Sequence, residues 1–145
     1  MKFLFTAILL TDIASHSAIA LQDNFAVVSL TDLNPSVHEA WQRVNKEPLH
    51  YPRSLAINEI AGCGVFDVFV SSQGQTDSIR LISASPEAQI SLPAQRLIET
   101  WQWQALPSVP LAAEKKRVRL DFCYSALSQR DATQLCRAQR EQACI

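Results

Sequence analysis

The chain has 145 residues, 48% of them hydrophobic, with 13 basic and 14 acidic side chains and a net charge of −1. That size fits one domain, and that balance excludes the basic footprint of a nucleic-acid binder or of capture by an acidic membrane. Three glycines are too few for a Gly-rich phosphate loop.

Residues 1–20 read as an export signal. Lys2 supplies the positive start, Phe3 to Leu10 is a short apolar run, and Ala18 and Ala20 form the small-residue pair before a cleavage point. Asp12 and His16 interrupt the run well before the about 20 apolar residues of a membrane span. The mature chain is expected to begin at Leu21, keep the charge of −1 and lie in the periplasm, without membrane insertion after cleavage. No cysteine lies near the cleavage point for a lipid anchor.

Residues 21–48 form an N-terminal extension. "FAVVSL" is a short apolar piece with strand character. A helix is expected from Ser36 to Lys46. Ser36 and Glu39 make a capping box, Pro35 suits a helix start, and Val37, Ala40, Trp41 and Val44 share one face. Pro48 ends it. A second helix is expected from Arg53 to Ile60, with Gly62 as its terminator.

Gly62 to Val70 alternates as a strand, with Phe66, Val68 and Val70 on one face and Cys63, Val65, Asp67 and Phe69 on the other. A turn at Gly74 leads into a second strand, with Ile79, Leu81 and Ser83 on one face and Arg80 and Ile82 on the other. Next comes a helix capped by Ser91, with Ala94, Leu97, Ile98 and Trp101 on one face. Pro107 and Pro110 break the chain. In the third strand, "KKRVRLDFCY", Val118, Leu120, Phe122 and Tyr124 face inward and Arg117, Arg119, Asp121 and Cys123 outward. The tail, residues 126–145, is expected to be helical.

The order helix, strand, strand, helix, strand predicts an α+β fold. A small three-stranded antiparallel sheet packs on helices, with extra helices at both ends. The expected core is Phe66, Val68, Val70, Leu97, Ile98, Trp101, Leu120 and Phe122, each large side chain contributing about 1.5–3 kcal/mol.

In an oxidising compartment Cys63, Cys123, Cys136 and Cys144 are disulfide candidates. The close pair typical of a zinc site is absent. Cys63 opens the first strand and Cys123 ends the third on the same face, so a Cys63–Cys123 bridge is an expectation among three connectivities. Cys136 and Cys144 lie about 12 Å apart along a continuous helix, too far for a direct bridge without a break.

From Tyr51 to Cys123 the residues resemble the C-terminal domain of the TonB energy-transducer family. The resemblance rests on Tyr51-Pro52, on Gly62 opening a strand and Gly74 closing a hairpin, on the pair Trp101-Gln102-Trp103, and on "KRVRLDFC". Leu55, Ser91 and Ala105 stand where the family commonly has alanine, aspartate and proline, and four cysteines are not part of its pattern. The inner-membrane helix and proline-rich spacer of the energy transducers do not occur in this sequence. The resemblance implies a domain over residues 49–125 that captures an extended segment of an outer-membrane transporter, or of another envelope protein, beside its last strand. The residues so implicated are Lys116, Arg117, Val118, Arg119, Leu120, Asp121 and Phe122. An open strand edge offers unpaired N–H and C=O groups to such a partner.

Catalysis finds no constellation. His38 and His50 have no partner at motif spacing, and no G-x-S-x-G or H-E-x-x-H occurs. Asp67 and Asp121 are expected to pair with Arg80, Arg117 or Arg119 rather than act as acid and base. The expected protein is therefore a binding module and not an enzyme, with no cofactor, no metal and no nucleic acid. Its competitor is a disulfide-stapled envelope assembly protein whose sheet edge is covered, with the helices Ser36–Lys46 and Ala126–Ala143 as contact surfaces.

Overall fold

A computed structural model describes residues 24–44 and 48–145. The export signal lies outside the described residues. The elements are β1 (Phe25–Asp32), β2 (Trp41–Arg43), α1 (Arg53–Ile57), β3 (Gly62–Val70), β4 (Thr76–Ser85), α2 (Glu87–Glu99), β5 (Trp103–Ala105), β6 (Glu114–Ser125) and α3 (Gln129–Arg140). The class is α+β. The main sheet is antiparallel in the order β1-β6-β3-β4, and β2 and β5 form a second, two-stranded sheet.

The main sheet has four strands where three are expected, because "FAVVSL" becomes a full strand. β1 pairs with β6 over eight positions, from Phe25 opposite Ser125 to Asp32 opposite Val118. Leu33 N–H extends the ladder to the Arg117 carbonyl at 2.8 Å, and Arg117 N–H donates to Asn34 Oδ1 at 2.6 Å.

The inner face holds the core. Phe66, Val68, Ile98, Trp101, Leu120 and Phe122 cluster with Leu55, Ala84, Ile90, Ala94 and Val118, and half-buried Leu97 packs against them. Tyr51 sets its ring edge-on to Phe122 at 5.7 Å between centroids. Its hydroxyl donates to the Ile60 carbonyl at 2.6 Å, and burial pushes the phenol up to about 12, so it stays a neutral donor. Val70 belongs to a separate cluster with Ala40 and Trp41 at the far end of the sheet.

Trp41 explains why no helix forms between Ser36 and Val44. Its ring lies over Gly74, whose φ is 75° and where a Cβ would meet that ring at 2.5 Å. Its Nε1 donates to the Ala112 carbonyl at 2.8 Å, and the Ala40 and Trp41 amides both donate to Glu114 Oε2 at 3.1 Å. These long-range contacts replace the helical bonds of a four-residue apolar stripe. The capping-box residues still bond locally, Ser36 N–H to Glu39 Oε1 and His38 N–H to Ser36 Oγ, but they close a turn.

Other boundaries move for local reasons. α1 stops at Ile57, and the chain turns through Glu59 at φ 53°. Gly62 starts β3 instead of ending a helix. A Cβ there would lie 2.2 Å from the Ser85 carbonyl oxygen, so the close approach of β4 requires glycine. α2 starts at Glu87, after Pro86, rather than at Ser91, and ends before Trp101. Trp101 still reaches the core, since its amide donates to the Ile98 carbonyl at 3.0 Å. In β4 a register shift opposite Val65 and Phe66 leaves Ile82 out of the pairing. Ala84, not Ser83, therefore faces the core.

The outer face carries α3, which packs on β1 and β6. It is shorter than the expected tail helix, and Ser128 caps it by accepting from the Asp131 amide. The disulfides are Cys63–Cys144 and Cys123–Cys136, so the Cys63–Cys123 expectation is corrected. The register sets Cys63 opposite Asp121, two residues away from Cys123, and α3 fills the space above both cysteines.

The bridges close unequal loops, with sequence separations of 81 and 13. Loop-closure entropy assigns them about 4.5 and about 3 kcal/mol. Denaturant unfolding of the Cys63→Ser/Cys144→Ser variant is expected to show a larger loss of stability than that of Cys123→Ser/Cys136→Ser. The reverse order would mean that native packing, not chain entropy, sets the contribution of each bridge.

Candidate functional site

The expected partner edge, Lys116 to Phe122, is interior. β1 pairs with Val118 to Ser125 on one side of β6, extended to Arg117 by Leu33 and Asn34, and β3 pairs with Glu114 to Phe122 on the other, so that placement is corrected. The backbone of β1 satisfies the groups that an incoming strand would use.

Side chains along β6 alternate between three environments. Val118, Leu120 and Phe122 point into the core. Lys116 is also inward and buried, held by Glu114 at 3.0 Å and Glu39 at 3.5 Å, with its ammonium 6.0 Å from the Trp103 ring centroid. On the outer face Arg119 and Asp121 are buried under α3. Arg119 Nε and Nη2 donate to Asp121 at 2.9–3.1 Å, while Nη2 and Nη1 donate to the Gln139 and Gln142 carbonyls at 2.8 and 2.6 Å. Gln139 Nε2 completes the Asp121 shell at 3.0 Å.

Arg117 lies beyond the reach of α3 and joins Asp67. Asp67 accepts from Arg117 Nε at 2.7 Å and Nη2 at 3.0 Å, and from Arg80 Nη2 at 2.6 Å. Asp67 is inaccessible, but of the two arginines that cover it Arg80 is largely in solvent and Arg117 partly so. The Arg117 hydrogen bonds hold its carboxyl well below the usual range, with Arg80 adding to the effect against the opposing push of burial. The two carboxylates thus serve ion pairs in separate places. All four cysteines are in disulfides. Among the described residues no group of three or more His, Cys, Asp or Glu is placed to hold a metal, and no helix is long and apolar enough to cross a membrane.

Two strands remain at the sheet's edges, β1 and β4. They differ in how they meet solvent. β4 carries Asp77 and Arg80 and the irregularity at Ile82, features that blunt an edge. β1 has no charged residue from Phe25 to Thr31. The Leu33–Arg117 bond fixes its alternation. Odd-numbered residues bond to β6, and Ala26, Val28, Leu30 and Asp32 turn their N–H and C=O groups to the open side.

Beside the end of that edge lies a cavity of about 150 Å3, lined by Leu30 and Asp32 of β1, Val118 of β6, and Trp41, Trp101 and Trp103. Trp101 and Trp103 meet edge-to-face at 6.0 Å, and the Arg43 guanidinium lies 5.5 Å from the Trp101 ring centroid. Trp103 Nε1 donates to Thr76 Oγ1 at 2.9 Å. Trp101 Nε1 is buried with no partner among the described residues. The sequence placed Trp101 in the core and Trp41 on a helix face, with no sign that three tryptophans converge. The only signal for the β1 edge was the uncharged run "FAVVSL".

The family described as Gram-negative bacterial TonB protein C-terminal matches residues 47–122. The matched segment leaves out β1, β2 and α3. Among solved structures the chain is similar to the solution NMR structure of the Pseudomonas aeruginosa TonB C-terminal domain. Identity is 18%, the alignment covers 66% of this chain and 91% of that one, and the TM-score is 0.42. No curated protein matches the chain.

The Asp67 cluster predicts an acid-sensitive contribution to stability. Its folded carboxyl titrates lower than the unfolded one, so the contribution is present above about pH 4 and is lost as pH falls through the folded value. Asp67→Asn is expected to lower the urea midpoint near neutrality and to converge with the unsubstituted protein in acid. Parallel curves across that range would show that Asp67 carries no linked proton.

Proposed function

This chain belongs to the family of Gram-negative bacterial TonB protein C-terminal domains, and from that premise we propose that it is an exported, non-enzymatic protein-binding module of the periplasm. It captures an extended segment of an outer-membrane transporter, or of another envelope protein, by adding it as a strand. Residues 1–20 direct its export, and the paired cysteines suit an oxidising compartment.

The observation that carries this reading is the β1 edge. It is eight residues long, free of charge up to Thr31, and pairs on one side only among the described residues. Natural edges of that length are usually guarded by charge, proline or a bulge, and an unguarded one is a template for β-augmentation. Residues Lys116 to Phe122 then act from behind, fixing β1 in place. The tryptophan-lined cavity supports the same reading. An incoming strand that pairs with Val28 and Leu30 sets alternate side chains on the core face, beside the cavity that Trp41, Trp101 and Trp103 line.

The assembly-protein alternative has one observation in its favour, the coverage of β6 from Val118 to Ser125 by β1. Titration of the isotope-labelled protein with extended peptides from outer-membrane transporters, followed by NMR, separates the two. Strand capture predicts rapid exchange of the Ala26, Val28 and Leu30 amides in the free protein. Peptide should then protect them and shift the Trp101 indole signal. Ala26→Pro removes one outward donor and is expected to weaken binding. Absence of shifts at millimolar peptide, with these amides already protected, would overturn strand capture in favour of assembly.

A further inference from the structure

A second cavity lies away from the β1 edge, in the angle between α1 and α2. It is an open groove of about 720 Å3, inside the range of about 300–1,000 Å3 usual for small-molecule sites. Tyr51, Leu55, Ile60, Leu92, Pro93 and Leu97 supply its apolar surface. Leu55 is fully buried in the core, so the floor of the groove is continuous with a rigid part of the molecule. Leu92 stands half exposed on the wall.

The charges around this groove are of one sign. Arg53 and Arg96 line it, and no acidic residue does. Among the described residues the arginines that form ion pairs are Arg80, Arg117, Arg119 and Arg140. Arg53 and Arg96 are not among them. The groove therefore combines an apolar trough with two exposed guanidinium groups that no carboxylate among the described residues pairs with. In a chain with a net charge of −1, that local excess is not a consequence of composition.

The chemistry of the walls separates an aliphatic ligand from a peptide. α1 and α2 are helices, so the groove between them presents no strand edge with an alternating row of donors and acceptors. A peptide laid there would bury its N–H and C=O groups without partners, at a cost of about 1–3 kcal/mol for each. An alkyl chain has no such groups, and each buried methylene contributes about 0.8 kcal/mol. A carboxylate head accepts charge-assisted hydrogen bonds from guanidinium in the geometry that arginine favours.

We propose that the α1–α2 groove binds a monomeric long-chain carboxylate, with its tail along Leu55, Leu92 and Leu97 and its head between Arg53 and Arg96. The site is independent of the β1 edge and of the partner strand. Decanoate below its micelle concentration is the probe, with decanol and decyltrimethylammonium as matched neutral and cationic chains. NMR of the labelled full chain is expected to show saturable shifts of the Leu55, Ile60, Leu92 and Leu97 methyl signals with decanoate. Arg53→Gln/Arg96→Gln is expected to weaken decanoate at least about tenfold, the loss of charged hydrogen bonds, and to leave decanol unchanged. Leu92→Glu, at a half-exposed position, keeps the fold and is expected to abolish decanoate binding. The proposal is overturned if decanol binds as tightly as decanoate, if the double variant binds decanoate unchanged, if the shifts fall elsewhere, or if the protein binds only vesicles of phosphatidylglycerol.

Discussion

The buried Arg119 guanidinium is the constraint on which the outer half of this structure depends. It sits on β6, bonds Asp121 on the same strand, and donates to the Gln139 and Gln142 carbonyls at the end of α3. A cation at a helix C-terminus meets the negative end of the helix dipole and adds a charged donor to the carbonyls of the last turn, here to Gln139, whose carbonyl also accepts from the Gln142 amide, and to Gln142. Burying an ion pair is costly unless every remaining hydrogen-bonding group is met. Here Gln139 Nε2 closes the Asp121 shell and also reaches the Gly62 carbonyl at 2.7 Å. The helix, the strand and the start of β3 are thereby held by one polar network. The two disulfides lie beside it and fix the same helix covalently. With few apolar residues of its own buried, Ala132 and Cys136, α3 is held more by these anchors than by apolar burial.

That arrangement divides the outer face of the sheet. At one end α3 excludes water, and Asp121 and Arg119 are locked. At the other end Asp67 meets Arg80 and Arg117, whose side chains remain in solvent. The same alternation along β6 produces both, since Arg117, Arg119 and Asp121 all point outward. Only the reach of a 12-residue helix decides which pair is buried. Exposed arginines beside an inaccessible carboxylate keep the uncovered part of the sheet polar without another layer of structure.

The alternating segments were legible in the sequence because burial on one face imposes period two. Phe66, Val68, Leu120 and Phe122 lie where their spacing puts them. The segment around Trp41 was not legible, because its apolar residues satisfy a helical period while their partners, Gly74, Ala112 and Glu114, are distant in sequence. Periodicity describes one element's faces, not what another element offers them. The cysteine pairing failed for a related reason. Parity placed Cys63 and Cys123 on one face, but not the two-residue offset between them or the helix that supplies both partners. Trp101 was assigned to the core for the wrong element: it is buried from the residues after α2, not from the helix itself.

β1 resolves a tension in a fold whose last strand would otherwise be an open edge. Its eight-residue ladder covers β6, and the cover lies outside the segment that matches the family. Covering an edge with a strand does not remove the edge; it moves it outward by one strand. The new edge inherits a different character. β6 presents Lys115, Lys116, Arg117 and Arg119 along its length, whereas β1 presents Phe25, Ala26, Val27, Val28 and Leu30. A basic edge selects partners partly by charge, while a neutral one leaves selection to backbone pairing and to whatever side chain reaches the tryptophan cavity beside Leu30. On the proposed strand capture, the N-terminal strand therefore changes the chemistry by which a partner would be recognised, while the core behind it keeps Tyr51, Phe66 and Phe122 in the same packed layer.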